Sequence, residues 1–226
     1  DNGIDYVAWC FKANGGTTTS VTGTNISSAT QQVNTDIDFS ITQFTEGSSG
    51  TSAVPHGLSG TPDMYIVKRT GGPQDWYVWH NGLSAGNSYI ILNSIAAQGS
   101  NNNMWTQVDS TNINLGPWNT EGGGTKIVYA FKNVEGFSKF GSYVGDLTSQ
   151  TNIETGFEPA FVMIKCSSGF NSGDWVIYDN KRNPTNPKIN PLLIRPYSEQ
   201  NALLFGINFN SNGFSIPTTC TSNSVN

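Results

Sequence analysis

Apolar residues recur in this chain at every second position, in runs of four to six, and almost nowhere at helical spacing. Phe39-Ser-Ile-Thr-Gln-Phe44, Met64-Tyr-Ile-Val-Lys68, Trp76-Tyr-Val-Trp-His80, Tyr89-Ile-Ile-Leu92, Ile127-Val-Tyr-Ala-Phe131, Phe161-Val-Met-Ile-Lys165, Trp175-Val-Ile-Tyr178 and Leu203-Leu-Phe-Gly-Ile207 are short, β-branched and aromatic. Side chains of that kind pack well on a pleated, half-buried surface, so each segment reads as a strand. Between them stand Gly71-Gly-Pro73, Asn81-Gly82, Gly122-Gly-Gly124, Asn183-Pro184, Asn186-Pro187 and Asn212-Gly213, which are turn chemistry. No stretch of ten or more residues keeps a 3.6-residue apolar stripe, so an all-β chain with little or no helix is expected.

The alternating segments come twice. Pro62-Asp-Met-Tyr-Ile-Val-Lys68 aligns with Pro159-Ala-Phe-Val-Met-Ile-Lys165, and Asp75-Trp-Tyr-Val-Trp-His80 with Asp174-Trp-Val-Ile-Tyr-Asp179, at offsets of 97 and 99. Gly57-Leu58 matches Gly156-Phe157, Phe44 matches Tyr143, and Ile113-Asn-Leu115 has its counterpart in Gly213-Phe-Ser-Ile216. A period of about 100 residues is the size of a small β-sandwich. The expected organisation is therefore two tandem antiparallel β-sandwich repeats, jelly-roll or lectin-like, over residues 37–135 and 136–226. Residues 13–36, rich in Gly, Ser, Thr and Asn, read as a linker or long surface loop. Val7-Ala-Trp-Cys-Phe-Lys12 resembles Ile127-Val-Tyr-Ala-Phe-Lys132, the last strand of the first repeat. Residues 1–12 thus read as a strand completing a repeat: an upstream one, the second one, or a neighbour's. Because an unpaired edge invites aggregation, a paired position is expected for Ile4 to Phe11.

Only 12% of the residues are charged, about half the usual share, and the net charge is −5 with the basic residues scattered. A nucleic-acid partner is not expected from such a surface. The 26 Asn and 25 Gly, with abundant Ser and Thr, point instead to contacts made by hydrogen bonds and shape. No apolar run approaches the roughly 20 residues of a spanning helix, and no membrane insertion is expected. Cys10, Cys166 and Cys220 show no Cys-x-x-Cys or Cys/His spacing and read as small buried hydrophobes; neither a metal nor any other cofactor is expected.

Candidate catalytic groups have simpler readings. Asp75 and Asp174 hold equivalent places just before a strand, where Asp accepts backbone N–H bonds of a turn. His56 and His80 read as structural hydrogen-bonding residues. Gly122-Gly-Gly124 leads into a strand, not a helix, and so is a turn and no phosphate loop. The chain is read as a non-enzyme. Trp76 and Trp175, alternating with Val78 and Ile177, are expected to face the core, with Trp79 and Tyr178 on the opposite face. Trp105 and Trp118 lie in Asn-rich segments, Asn101-Asn-Asn-Met-Trp105 and Gly116-Pro-Trp-Asn119. Rings framed by amides suit glycan faces, so Trp118, Trp105 and Asn119 are the candidate ligand contacts; anchoring of loops beneath the sheet is the competing and preferred role for the two rings.

Taken in order, several segments resemble a functionally uncharacterised repeat domain of virion appendage proteins of tailed bacteriophages, marine ones especially. They are Tyr6-Val-Ala-Trp-Cys-Phe-Lys12, His56-Gly-Leu58 with Pro62-Asp-Met64, Asp75-Trp76 with His80, Met104-Trp105 before Leu115-Gly116, and Val134-Glu-Gly-Phe-Ser-Lys-Phe-Gly-Ser-Tyr143. Gly156-Phe-Glu-Pro159, Asp174-Trp-Val-Ile-Tyr-Asp179 with Lys181-Arg-Asn-Pro184, and Ser211-Asn-Gly-Phe214 continue the likeness. The resemblance implies a component of a tail fibre or capsid fibre on the outside of the particle, structural and engaged in host attachment, with no catalytic residues to carry over. It also implies self-association, usually as a homotrimer, contact with other virion proteins, and a host surface glycan as target. Trp105 belongs to the shared pattern, whereas Trp118 and residues 188–200 depart from it and are candidates for specificity. The rival reading is a carbohydrate-binding module or lectin of a cellular or secreted protein.

Overall fold

The computed structural model describes residues 8–47, 50–117, 124–146, 148–169, 173–189, 191–194 and 206–217. With 44% strand and 1% helix, the chain is all-β. Among the described residues four antiparallel sheets form. The largest has the order β1 (Thr19–Ser20), β2 (Ile26–Asn34), β3 (Phe39–Glu46), β11 (Thr125–Phe131), β5 (Met64–Arg69), β6 (Tyr77–His80), β7 (Ser88–Ile91), β8 (Gly99–Ser100). A three-stranded sheet pairs β4 (Ser52–Pro55), β10 (Asn112–Leu115) and β9 (Trp105–Val108). Two more, later in the chain, run β13 (Phe161–Ile164), β14 (Trp175–Asp179), β15 (Leu192–Ile194) and β12 (Thr151–Glu154), β17 (Gly213–Ile216), β16 (Asn208–Asn210). The later pair repeats the strand orders β5–β6–β7 and β4–β10–β9. An equivalent lysine detail accompanies this: Lys68 Nζ donates to the Gln74 carbonyl and Lys165 Nζ to the Gly173 carbonyl.

Three apolar clusters bind the sheets together. The first is filled by Phe44, Tyr65, Val67, Trp79, Val128 and Ala130 of the large sheet and by Val54, Trp105, Ile113 and Leu115 of β4–β10–β9. In β11 the alternation is strict, with Lys126, Val128 and Ala130 inward and Ile127, Tyr129 and Phe131 half-buried. The second cluster joins β13–β14–β15 to β12–β17–β16 through Val162, Ile164, Val176, Tyr178, Phe209, Phe214 and Ile216. The third lies between the two halves: Val78 and Ile90 of the large sheet's other face meet Trp175 of β14, with Met64, Ile66, Met163 and Ile194 around them. Polar ties cross the same junction. Trp175 Nε1 donates to Ile91 O at 2.9 Å, Gln98 N to Ser167 O at 2.8 Å, and Lys165 Nζ to Ile95 O at 3.0 Å.

Several sequence expectations change here. Residues 13–36 are not a plain loop, since they carry β1 and β2. The strand escaped notice because its inward positions are small or polar: Ala29 and Gln31 are both buried, and Gln31 Nε2 is satisfied by Thr42 Oγ1 (2.9 Å) and Pro55 O (2.7 Å). Trp76, expected in the core, precedes β6 and is half-buried, stacked on Tyr129 at 6.3 Å with Lys68 over its ring. Its counterpart Trp175 is buried, and so is Trp79, because both faces of the large sheet are covered at β6. Cys166 is buried, but Cys10 is exposed; Cys220 lies outside the described residues. Of Ile4–Phe11, only Ala8–Phe11 is described, and it carries no strand pairing. Of Leu203–Ile207, only Gly206 and Ile207 are described, the latter bridged to Lys188.

One buried ion pair interrupts the first core. Lys126 Nζ donates to Glu46 Oε2, both residues being almost wholly inaccessible, and Glu46 Oε1 has no hydrogen-bond partner among the described residues. Burial pushes the Glu46 carboxyl up from its ordinary value, with Lys126 opposing the shift.

Candidate functional site

At the edge of the first core the fold opens a cleft of about 550 Å³ lined by Trp79, Gly86, Asn87, Asn102, Trp105, Thr106 and Val108. Strand alternation sets Trp79 of β6 on the same face as Tyr65 of β5. Their rings stack at 5.2 Å, and Trp105, the first residue of β9, meets Tyr65 edge-on at 5.1 Å. The Trp105 indole N–H donates to Ser88 O at 3.0 Å, which ties β9 to β7. Trp79 Nε1 and Tyr65 OH are buried and have no hydrogen-bond partner among the described residues.

The rim is made by two loops that clasp one another. Asn101 N donates to Asn87 O at 3.1 Å, and Asn87 Nδ2 to Asn102 Oδ1 at 2.5 Å. Asn103 N donates to Asn101 Oδ1 at 2.9 Å, an Asx turn that delivers Met104 and Trp105 inward. The loop passes so close to Gly116 that a Cβ there would sit 2.0 Å from Asn103 O, so glycine is required at the end of β10. Among the described residues no side chain in the lining carries a charge. The amides offer donors and acceptors together, and Thr106 adds an exposed hydroxyl. With Trp79 9% and Trp105 2% exposed, the floor presents little ring surface. The lining thus sets amide hydrogen-bonding groups around a small apolar floor.

Among the sequence candidates, Trp105 therefore lines the cleft from a buried position that also anchors its loop. Trp118 and Asn119 lie outside the described residues. Trp79, Asn87 and Thr106 were not singled out as ligand contacts by the sequence; Asn102 falls within the Asn-rich run that drew attention to Trp105. The histidines have structural duties: His56 Nδ1 accepts from Leu58 N at 3.1 Å and His80 Nδ1 from Gly82 N at 2.9 Å. Desolvation holds both rings below the usual histidine value. Asp75 Oδ1 accepts from Asn93 Nδ2 at 2.9 Å. Among the described residues no group of three His, Cys, Asp or Glu is placed to hold a metal ion.

Beside the cleft, the β9–β10 hairpin is closed by one carboxylate. Asp109 Oδ1 accepts from Asn112 N (2.7 Å) and Thr111 N (2.8 Å), and Oδ2 from Asn114 Nδ2 (2.8 Å). Those bonds favour the charged form and hold the group down to about 2. A carboxyl depressed on folding contributes stability above its unfolded value of about 3.9, and that contribution is lost as pH falls toward 2. Asp109→Asn is therefore expected to flatten the loss of stability between pH 5 and about 2.5, measured by urea denaturation. An unchanged slope would contradict the assignment.

Comparison with family models matches residues 1–226 to a domain of unknown function, DUF7483. No curated protein and no solved structure matches the chain.

Proposed function

The chain belongs to the DUF7483 family, and from that premise we propose that it is a non-enzymatic structural domain of a bacteriophage tail fibre or other virion appendage, displayed on the particle and engaged in host attachment. The observation that carries the attachment part is the uncharged cleft of Trp79, Asn87, Asn102, Trp105 and Thr106, whose chemistry suits a host surface glycan. The sequence resemblance to phage appendage repeats supplies the virion context. In this reading residues 37–135 and 136–226 are tandem sandwich repeats, self-associating and joined to other virion proteins. The recurring strand orders and the paired Lys68 and Lys165 contacts support that division. A single shallow cleft yields weak binding, with a dissociation constant on the order of 1 mM, or about −4 kcal/mol. Repetition on a particle raises it by avidity without any new contact. A second reading, a carbohydrate-binding module of a cellular or secreted protein, rests on the same cleft without the virion context.

A glycan array probed with the full chain tests the attachment role. Binding to uncharged host-surface glycans is expected, weakened about tenfold by Asn87→Ala or Asn102→Ala, without release of free sugar from polysaccharide. Trp118→Ala reports whether that residue adds to the site. Absence of binding to any glycan would leave a scaffold role alone, and sugar release would overturn the non-enzymatic reading.

A further inference from the structure

We propose that the outer edge of β13 accepts Ala8–Lys12 of a second copy of the chain as an added antiparallel strand. This inference does not depend on the cleft binding a glycan. It begins with a mismatch between equivalent strands. In the large sheet β5 is bonded on both sides, to β6 and to β11. β13 holds the corresponding place in β13–β14–β15, yet among the described residues it pairs only with β14. Among the described residues its second edge thus leaves the N–H and C=O groups of an apolar strand without a ladder partner, the arrangement that recruits a strand from elsewhere.

The chain itself carries a segment of the right kind. Ala8-Trp-Cys-Phe-Lys12 matches Val128-Tyr-Ala-Phe-Lys132, the stretch of β11 that lies against β5. On β5 the register is Phe131↔Met64, Ala130↔Tyr65, Tyr129↔Ile66 and Val128↔Val67. Transferred to β13, it sets Phe11 opposite Phe161, Cys10 opposite Val162, Trp9 opposite Met163 and Ala8 opposite Ile164. The alternation is consistent. Val162 and Ile164 face their core as Tyr65 and Val67 do, and the small Ala8 and Cys10 would join them as Val128 and Ala130 join theirs. Trp9 and Phe11 would take the opposite face with Phe161 and Met163, the face on which Met163 meets the large sheet.

Among the described residues of one chain this pairing is not made. Phe11 packs on Phe39 (5.8 Å) and Phe131 (6.0 Å), and Asn34 Nδ2 donates to Lys12 O at 3.0 Å, which pins the segment at the tips of β3 and β11. Only Trp9 reaches β13, edge-on to Phe161 at 5.7 Å, two residues away from the transferred register. The cost is visible as exposed aromatic surface: Trp9 is 37% and Phe11 57% accessible. A donor strand and an acceptor edge thus stand unfulfilled on the same molecule. Each satisfies its counterpart on a neighbour, and because one chain offers both, the contact propagates head to tail.

Cross-linking tests the register directly. Residues opposite one another on adjacent strands have Cα atoms about 4.5–5.5 Å apart, within disulfide reach. In a full-length chain with Val162→Cys, Cys166→Ser and Cys220→Ser, mild oxidation is expected to join position 162 to Cys10 of another molecule, giving dimers and larger species on a non-reducing gel. A disulfide-closed monomer would show that the chain's own segment fills the edge, and no cross-link in a chain with unchanged β-sheet circular dichroism would show that the edge does not take it. Either result overturns the proposal. Sedimentation of the otherwise unaltered chain gives a second readout should the cysteine variant fail to fold. Trp9→Pro with Cys10→Pro removes ladder donors from the segment and is expected to weaken association at least about tenfold. Equal association, or a chain that stays monomeric at millimolar concentration, would overturn it.

Discussion

Lys126→Ala is expected to destabilise the protein by about 3–5 kcal/mol, a large share of the roughly 5–15 kcal/mol that holds a native domain together. The lysine sits inward on β11 with Val128 and Ala130, and its ammonium is the cation bonded to Glu46 in a region closed to water. Removing it leaves a buried carboxylate one of whose oxygens already has no partner among the described residues. Replacing both residues by apolar ones of similar volume, Lys126→Met with Glu46→Leu, should restore most of the loss, because the pair itself contributes little net stability once desolvation is counted. The pH dependence has a definite sign. Burial raises the folded-state value of Glu46, so its contribution is greatest below the unfolded value of about 4.3 and is lost as pH rises through the raised folded value. Lys126→Ala removes an opposing charge and should widen that window. The variant is expected to lie closer to the parent at pH 4 than at pH 7 in urea denaturation; a loss independent of pH would contradict a buried, charged Glu46.

Trp175→Ala is the second large effect, again about 3–5 kcal/mol, but with a different signature. Trp175 fills the space between the halves against Val78 and Ile90, and its indole N–H bonds to Ile91 O across the junction. Alanine leaves a cavity that Met163 and Ile194 fill only in part, and an acceptor without its donor. Melting followed by fluorescence and by circular dichroism should then resolve into two transitions, one for each half, where the parent gives one. Trp175→Phe retains most of the packing and is expected to lose only about 1 kcal/mol with the hydrogen bond. Coincident transitions in the alanine variant would show that the halves are held together elsewhere.

These residues also mark what the sequence could and could not tell. Segments with clean period-two alternation, such as Met64–Lys68 and Ile127–Phe131, are strands in the structure. β2 was hidden because Gln31 replaces an apolar residue at an inward position and is satisfied by partners on β3 and β4. The pattern placed Trp76 and Trp175 alike, yet only Trp175 meets the other half, since the difference lies in what packs against each sheet face and not in local sequence. Glu46 and Lys126 are 80 residues apart, and neither carries a local mark of pairing. The cleft was half legible: the Asn101–Trp105 run drew attention, but Trp79 and Asn87 arrive from β6 and the turn before β7 by the fold alone. Conversely, the likeness of Val7–Lys12 to β11 was plain in sequence, and among the described residues β13 is paired on one side only, the observation on which the strand-addition proposal rests.

The most direct test of the central claim is to find the chain on a particle. Antibody raised against it, visualised with gold by electron microscopy on virions purified from cells that express the sequence, should decorate fibres or other appendages at repeated positions. Particles that carry no label, with the chain recovered instead from the cells or their medium, would contradict the appendage role and leave the carbohydrate-binding module as the standing account.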